Sequence, residues 1–100
     1  VTRQDSHKFL IAYDVPDDRR RHSIAVVLQS FGDRVQYSVF MVDCAPSRVI
    51  VLQKRLEVIM ERDEDSVLVC DLGLSKRADA KALTWLGRSR YVVGDGTLIV

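Results

Sequence analysis

The spacing of apolar residues in this chain switches from every second residue to every third or fourth and back again, and that switching fixes the order of its elements. Residues 7–14, HKFLIAYD, place Phe9, Ile11 and Tyr13 on one face of a predicted strand and Leu10 and Ala12 on the other, so both faces read as buried. Pro16 turns the chain, and Asp17 and Asp18 offer carboxylates that can cap a helix. Ile24, Val27, Leu28 and Phe31 then follow the spacing of an apolar helical stripe, with Gly32 placed to stop it. Residues 34–43, RVQYSVFMVD, return to alternation, with Val35, Tyr37, Val39 and Met41 against Gln36, Ser38, Phe40 and Val42, as one bent strand or two. Pro46 and Ser47 open a second helix whose stripe of Val49, Leu52, Leu56 and Ile59 carries it to near Arg62. Residues 66–72, SVLVCDL, form a short apolar strand suited to a central place in a sheet.

This order is the split βαβ arrangement, an α+β, ferredoxin-like βαββαβ fold with both helices on one face of an antiparallel sheet. The other face keeps Leu10, Ala12 and Phe40 as apolar cover, which predicts a homodimer. A length of 100 residues gives a single domain over 1–100, and 47% hydrophobic with 29% charged residues excludes a disordered chain. Apolar runs stop at four or five residues, as at 24–28 and 49–52, which rules out a helical membrane span. The polar stretch 1–8 lacks a secretory pattern, so a cytoplasmic location is expected. Cys44 and Cys70 lack metal-ligand spacing and read as buried free thiols. Toward the end, residues 76–83 suggest a short helix, Trp85 and Leu86 a short strand, and 91–93 with 97–100 a hairpin about Gly94, Asp95 and Gly96. With the sheet already closed, residues from about 84 to 100 read as an extension that pairs with another chain.

Asp14 closes the first predicted strand just before Val15 and Pro16, which puts its carboxylate outside the hydrogen-bond ladder and near a helix start. One carboxylate is a poor Mg²⁺ site, because that ion takes an octahedral oxygen shell, whereas two copies across a dimer axis make a plausible one. The ordinary alternative is a turn cap or an ion pair with a nearby Arg. Arg19, Arg20 and Arg21 crowd the first turns of a helix, where the dipole disfavours cations. They require compensation by Asp17 and Asp18, including an Asp17 to Arg21 pair at i, i+4, or an anion such as phosphate. Arg48, Arg55 and Arg62 recur every seven residues and drift only about 20° per step, a row that either follows a phosphate backbone or is simply solvated. Residues 76–90 carry Lys76, Arg77, Lys81, Arg88 and Arg90 against Asp79 alone, while acids gather at 61–65. The net charge of +1 therefore conceals a dipolar surface suited to polyanions. His7 and His22 stand alone, without ligand spacing. No GxxxxGK, GxSxG or CxxC pattern occurs, and the aromatic residues lack the Gly-rich basic motif of an RNA-stacking sheet.

Residues 13–43, YDVPDDRRRHSIAVVLQSFGDRVQYSVFMVD, closely resemble the CRISPR-associated Cas2 family, whose hallmark is a strand ending Tyr-Asp followed by an RVQYSVF segment. The resemblance extends more loosely over residues 8–72, and the terminal TLIV looks like the family's closing strand. It implies a ferredoxin-like homodimer whose C-terminal strand packs on the partner's sheet. It also implies that Asp14 is a catalytic, metal-linked carboxylate at the dimer axis, held with Mg²⁺ or Mn²⁺ and acting in phosphodiester cleavage. Tyr13, Arg19, Arg20, Arg21, Arg34 and Phe40 are then expected to contact nucleic acid or support the site. The resemblance carries two roles: a metal-dependent endonuclease for single-stranded RNA or duplex DNA, and a dimeric bridge between CRISPR-associated integrase subunits during spacer acquisition. The adaptation role is the expected function, with nuclease activity beside it. The alternatives are a free-standing toxin-like ribonuclease of the same fold and a purely structural adaptor.

Overall fold

The computed structural model describes residues 5–75 and 83–88. The elements run β1 (His7–Asp14), α1 (Asp18–Gln29), β2 (Gly32–Gln36), β3 (Val39–Cys44), α2 (Pro46–Ile59) and β4 (Ser66–Leu74). The four strands form one antiparallel sheet in the order β2-β3-β1-β4, which is the expected ferredoxin-like layout. β1 lies inside the sheet, and its buried side chains Phe9, Ile11 and Tyr13 meet Ile24 and Leu28 of α1 and Leu52 and Leu56 of α2 in one core.

Local chemistry accounts for most element boundaries. Asp17 stands in extended conformation before α1, and its carboxylate accepts the Arg20 N–H at 2.9 Å, a side-chain cap for one of the orphan donors of the first turn. At the other end the chain turns at Ser30, whose hydroxyl donates to the Val27 carbonyl at 2.6 Å. Gly32 is therefore not the helix stop expected of it; it opens β2 opposite Val42. A Cβ at Gly32 would lie 2.2 Å from the Met41 carbonyl oxygen and 2.9 Å from the Val42 Cα, so only glycine lets β2 approach β3 there. The predicted strand over 34–43 resolves into two, parted by a turn at Tyr37 and Ser38, with a register shift between Arg34 and Gln36. α2 starts with Pro46 in its first turn and no side-chain cap. It ends at Ile59, short of Arg62, because Met60 turns extended.

Four expectations are corrected. Phe40 pairs with Ile11 across β1 and β3, which puts it in the core and fully buried, not on the helix-free face. That face instead carries Leu10 beside Met41 and Cys70, and Ala12 beside Val39 and Leu68. β4 is an edge strand in the described sheet, with β1 as its one described neighbour; Val67 and Val69 pack toward the core while Leu68 is 61% exposed. Both cysteines are free, but Cys44 is half-buried and Cys70 exposed, so the thiols are not both buried. Trp85 and Leu86 are not in a strand. The expected helix over 76–83 except Leu83, the hairpin at 91–100 and most of the terminal extension lie outside the described residues.

The crowding at Gly32 yields a measurable expectation. Because a Cβ there meets backbone, not a side chain that can rotate away, Gly32→Ala should lose about 1–3 kcal/mol, the usual cost of overpacking. Chemical denaturation of the two proteins checks this, and an unchanged midpoint would mean that β2 and β3 separate freely.

Candidate functional site

One edge of the domain gathers the end of β1, the start of α1, the β2–β3 turn and the start of β4. Tyr13 ties the turn to β1 twice. Its backbone N–H donates to the Ser38 carbonyl at 3.0 Å, and its hydroxyl donates to the Tyr37 carbonyl at 3.4 Å. Its buried ring stacks on Phe40, with centroids 6.3 Å apart, and the Arg34 guanidinium lies 5.2 Å from the Phe40 ring centre. Phe40 thus acts from within the core, as a floor for Tyr13 and Arg34.

Arg21 stitches α1 to the connector that leaves Asp14. It donates through Nη1 to the Val15 carbonyl at 2.9 Å, and through Nη2 to Asp18. The Asp18 hydrogen bond, with Tyr37 adding to it, raises the Arg21 guanidinium above its ordinary pKa. The expected Asp17–Arg21 pair does not form, since Asp17 turns inward to cap the Arg20 N–H and Arg21 takes Asp18 at i, i+3. Between these residues opens a cleft of about 280 Å³ lined by Tyr13, Asp18, Arg21, His22, Arg34 and Tyr37. Arg34, which enters no ion pair among the described residues, suits phosphate oxygens, and the Tyr37 side, 71% exposed, offers a ring on which a base can stack.

Arg20 points elsewhere. It grips Asp65 in the loop before β4 with two bonds, Nε to Oδ2 at 2.7 Å and Nη2 to Oδ1 at 3.0 Å, and reaches Glu64 at 3.2 Å. The Asp65 side chain is fully buried and also accepts the Glu61 N–H at 2.9 Å. Its carboxyl is held below the ordinary range, chiefly by the Arg20 hydrogen bond and further by the Glu61 N–H, against the opposing effect of burial. Arg19 is exposed on α1.

Asp14 is exposed at the end of β1, opposite Ser66 of β4, and does not line the cleft. Among the described residues no group of three His, Cys, Asp or Glu side chains gathers to hold a metal ion. Asp14 offers the hard oxygen that Mg²⁺ takes, but one carboxylate is too few donors, so the described residues of a single chain do not complete such a site. The structure therefore brings Tyr13, Arg21, Arg34 and Phe40 together, leaves Asp14 on the adjoining edge, and turns Arg20 toward the loop before β4. Sequence reasoning passed over His22 and Tyr37 as cleft walls and Asp65 as the partner of Arg20. For Tyr37 the signal was present, since a polar aromatic beside a turn is well placed to project.

With this geometry in hand, the comparisons with known proteins are specific. The family model for CRISPR associated protein Cas2 matches residues 7–80. A Synechocystis protein, CRISPR-associated endoribonuclease Cas2 3, is 51% identical over 59 residues, which is 59% of this chain and 64% of that protein. A Rhodospirillum rubrum protein, CRISPR-associated endoribonuclease Cas2 1, is 32% identical over 83% of this chain and 80% of its own length. The matched stretch likewise spans only 64% of the Thermus thermophilus relative named CRISPR-associated endoribonuclease Cas2, at 43% identity over 60% of this chain. Among solved structures, Streptococcus pyogenes Cas2 superposes with a TM-score of 0.68 at 27% identity, covering 80% of this chain and 99% of that one. A hypothetical protein from Thermus thermophilus superposes with a TM-score of 0.73 at 27% identity, over 84% of this chain and 94% of that one.

The Arg20–Asp65 contact predicts a pH dependence of stability. The Asp65 pKa is lowered in the folded chain, so its contribution is present above the unfolded carboxyl value of 3.8 and is lost as pH falls below that value through the folded one. Thermal melts of the wild type and Asp65→Asn from pH 7 to 2.5 should show the wild type ahead at neutral pH and the gap closing only below about pH 4. A gap that stays constant through that window would assign the stabilisation to something other than the ionised carboxylate.

Proposed function

The chain belongs to the CRISPR-associated Cas2 family, and from that premise we propose that it is a homodimeric, nucleic-acid-binding protein of the spacer-acquisition stage, bridging integrase subunits, with a metal-dependent phosphodiesterase activity centred on Asp14. The observation that carries the nucleic-acid reading is the cleft beside the end of β1, where Arg21 and Arg34 stand with Tyr13 and Tyr37 next to an exposed carboxylate. The Arg34 guanidinium at that edge suits a phosphate oxygen, and the exposed Tyr37 ring favours a strand with at least one accessible base. Such contacts give affinity without naming a sequence, and they accept single-stranded RNA or duplex DNA ends alike.

Dimerisation is supported by the face away from the helices. Leu10, Ala12, Val39 and Leu68 line it in register around the already buried Met41, and Asp14 shares the parity of Leu10 and Ala12 along β1. A second copy docked there would bring a second Asp14 and double the carboxylate donors for Mg²⁺ or Mn²⁺. A divalent ion so held supplies Lewis-acid polarisation of a phosphate and a more acidic bound water. The chain's own residues orient the strand: Arg34 through phosphate, Arg21 by holding the connector after Asp14 through the Val15 carbonyl, and Tyr13 by holding the turn that presents Tyr37. Relatives named endoribonuclease and endonuclease support the cleavage reading.

The second reading, a structural adaptor without cleavage, is favoured by the single-protomer geometry, in which Asp14 has no companion carboxylate among the described residues. Wild type and Asp14→Ala, each confirmed as a folded dimer, separate the two when assayed with Mg²⁺ on single-stranded RNA and duplex DNA. Cleavage should fall about 100-fold or more in the variant, as expected when several kcal/mol of transition-state charge stabilisation is withdrawn. No cleavage in either would leave the bridge between integrase subunits as the function, and equal cleavage in both would remove Asp14 as the catalyst. Arg34→Ala should instead weaken nucleic-acid binding in either case.

A further inference from the structure

We propose that the domain carries a second site for a nucleic-acid phosphate backbone on its helix layer, built from Phe31, Arg48 and Arg55 and lying at the end of the sheet away from Asp14. This deepens the nucleic-acid reading above and rests on it. The Arg48 guanidinium carbon lies 4.8 Å from the centre of the Phe31 ring, and that of Arg55 lies 5.6 Å from the same centre. Two arginines a heptad apart on α2 are thereby drawn to one ring at the end of α1, and their charges fall within about 10 Å of each other. Contact with the ring restricts both side chains, so less freedom is lost when an anion binds them.

The charges of this pair are not spent on carboxylates. Among the described residues the arginine ion pairs belong to Arg20, Arg21 and Arg62, whereas Arg48 and Arg55 enter none. From Pro46 along α2 the cations are Arg48, Lys54 and Arg55, and the first acid is Glu57, which leans toward Arg62 at 4.0 Å. Arg48 and Arg55 are both exposed. Uncompensated, restrained and solvent-facing guanidiniums select phosphate, which they bind through paired N–H donors. With two cations resting on it, the Phe31 ring is not a bare stacking surface, so the contact is to backbone and blind to sequence.

Position makes this a site separate from the Asp14 edge. β3 ends at Cys44 opposite His7, and α2 begins there; His7 and Asp14 are the two ends of the eight-residue β1, roughly 23 Å of strand. α2 then runs back toward the Asp14 edge, because β4 starts at Ser66 opposite Asp14. A window of about 10 Å meets about three phosphates of a duplex strand, enough for both guanidiniums.

The test is fluorescence anisotropy with fluorescein-labelled oligo-dT and a labelled mixed-sequence duplex over a salt series, comparing wild type, the double variant Arg48→Gln with Arg55→Gln, each single variant, and Phe31→Leu. The double variant should bind roughly tenfold more weakly at low salt, and its log-log salt slope should flatten by about 1.4 for the single strand and 1.8 for the duplex. Each single variant should show about half that change in slope. Phe31→Leu keeps both charges, so it should weaken binding while leaving the slope near that of wild type. Circular dichroism of the variants should match wild type, since both arginines are exposed. Wild-type affinity and slope in the double variant would overturn the site while leaving the nucleic-acid reading in place. A wild type that binds neither probe would overturn both.

Discussion

Asp65 is the polar side chain that the described fold takes fully out of water, and an ionised carboxylate survives there only while its oxygens are engaged. Arg20 supplies two of its bonds and the Glu61 N–H another. Because Arg20 stands in the first turn of α1 and Asp65 immediately precedes β4, the pair sets the start of one element against the start of the other. The end of β1 lies between them, with buried Val15 and the connector that Arg21 grips through the Val15 carbonyl. The placement of Asp14 and of the cleft beside it therefore depends on a contact that belongs to neither. Removing one partner would strand the other's charge, which costs more than the pair contributes, and the first elements to shift would be those that frame the site.

The near-neutral sum of charges is reached by segregation. Arg20 and Arg21 face Asp65, Glu64 and Asp18, so the arginine run that looked unfavourable at a helix start is largely balanced by acids drawn from its own turn and from the loop before β4. What remains open lies elsewhere: Arg34 over Phe40 at one end of the sheet, Arg48 and Arg55 over Phe31 at the other. In each case the cation rests on an aromatic ring seated in or against the core, so the core fixes the direction of the charge. Segregation of that kind leaves a strong local positive potential although the chain as a whole is almost uncharged.

The order of strands and helices was legible because hydrophobic period is a local property, and every described element except the last stretch carries it clearly. The faces were less so. Unbroken alternation across 34–43 groups Phe40 with Gln36 and Ser38, but the turn at Tyr37 and Ser38 and the shift between Arg34 and Gln36 reset the count, and Phe40 with Val42 faces the core. The run SVLVCDL reads like a central strand because Leu68, on its outward side, is as apolar as the valines beneath; composition cannot tell an edge strand of the described sheet from an interior one. Gly32 looked like a helix stop because a glycine after an apolar stripe usually is one, whereas its constraint comes from Met41 across the sheet. Contacts such as Arg20 with Asp65 or Arg48 with Phe31 join residues far apart in sequence, and no spacing rule reaches them.

Tyr13 and Asp14 are neighbours in the chain and point to opposite sides of the strand. Tyr13 belongs to the helix side, where it helps wall the cleft, while Asp14 shares the parity of Leu10 and Ala12 on the side without helices. A nucleic-acid strand held in the cleft must therefore pass around the end of β1 to meet the carboxylate. Docking of two copies through the helix-free face would leave both clefts pointing outward and draw both carboxylates inward. Binding and chemistry would then answer to different surfaces of one strand, so a change in how the copies meet alters cleavage while leaving the grip on phosphate unchanged.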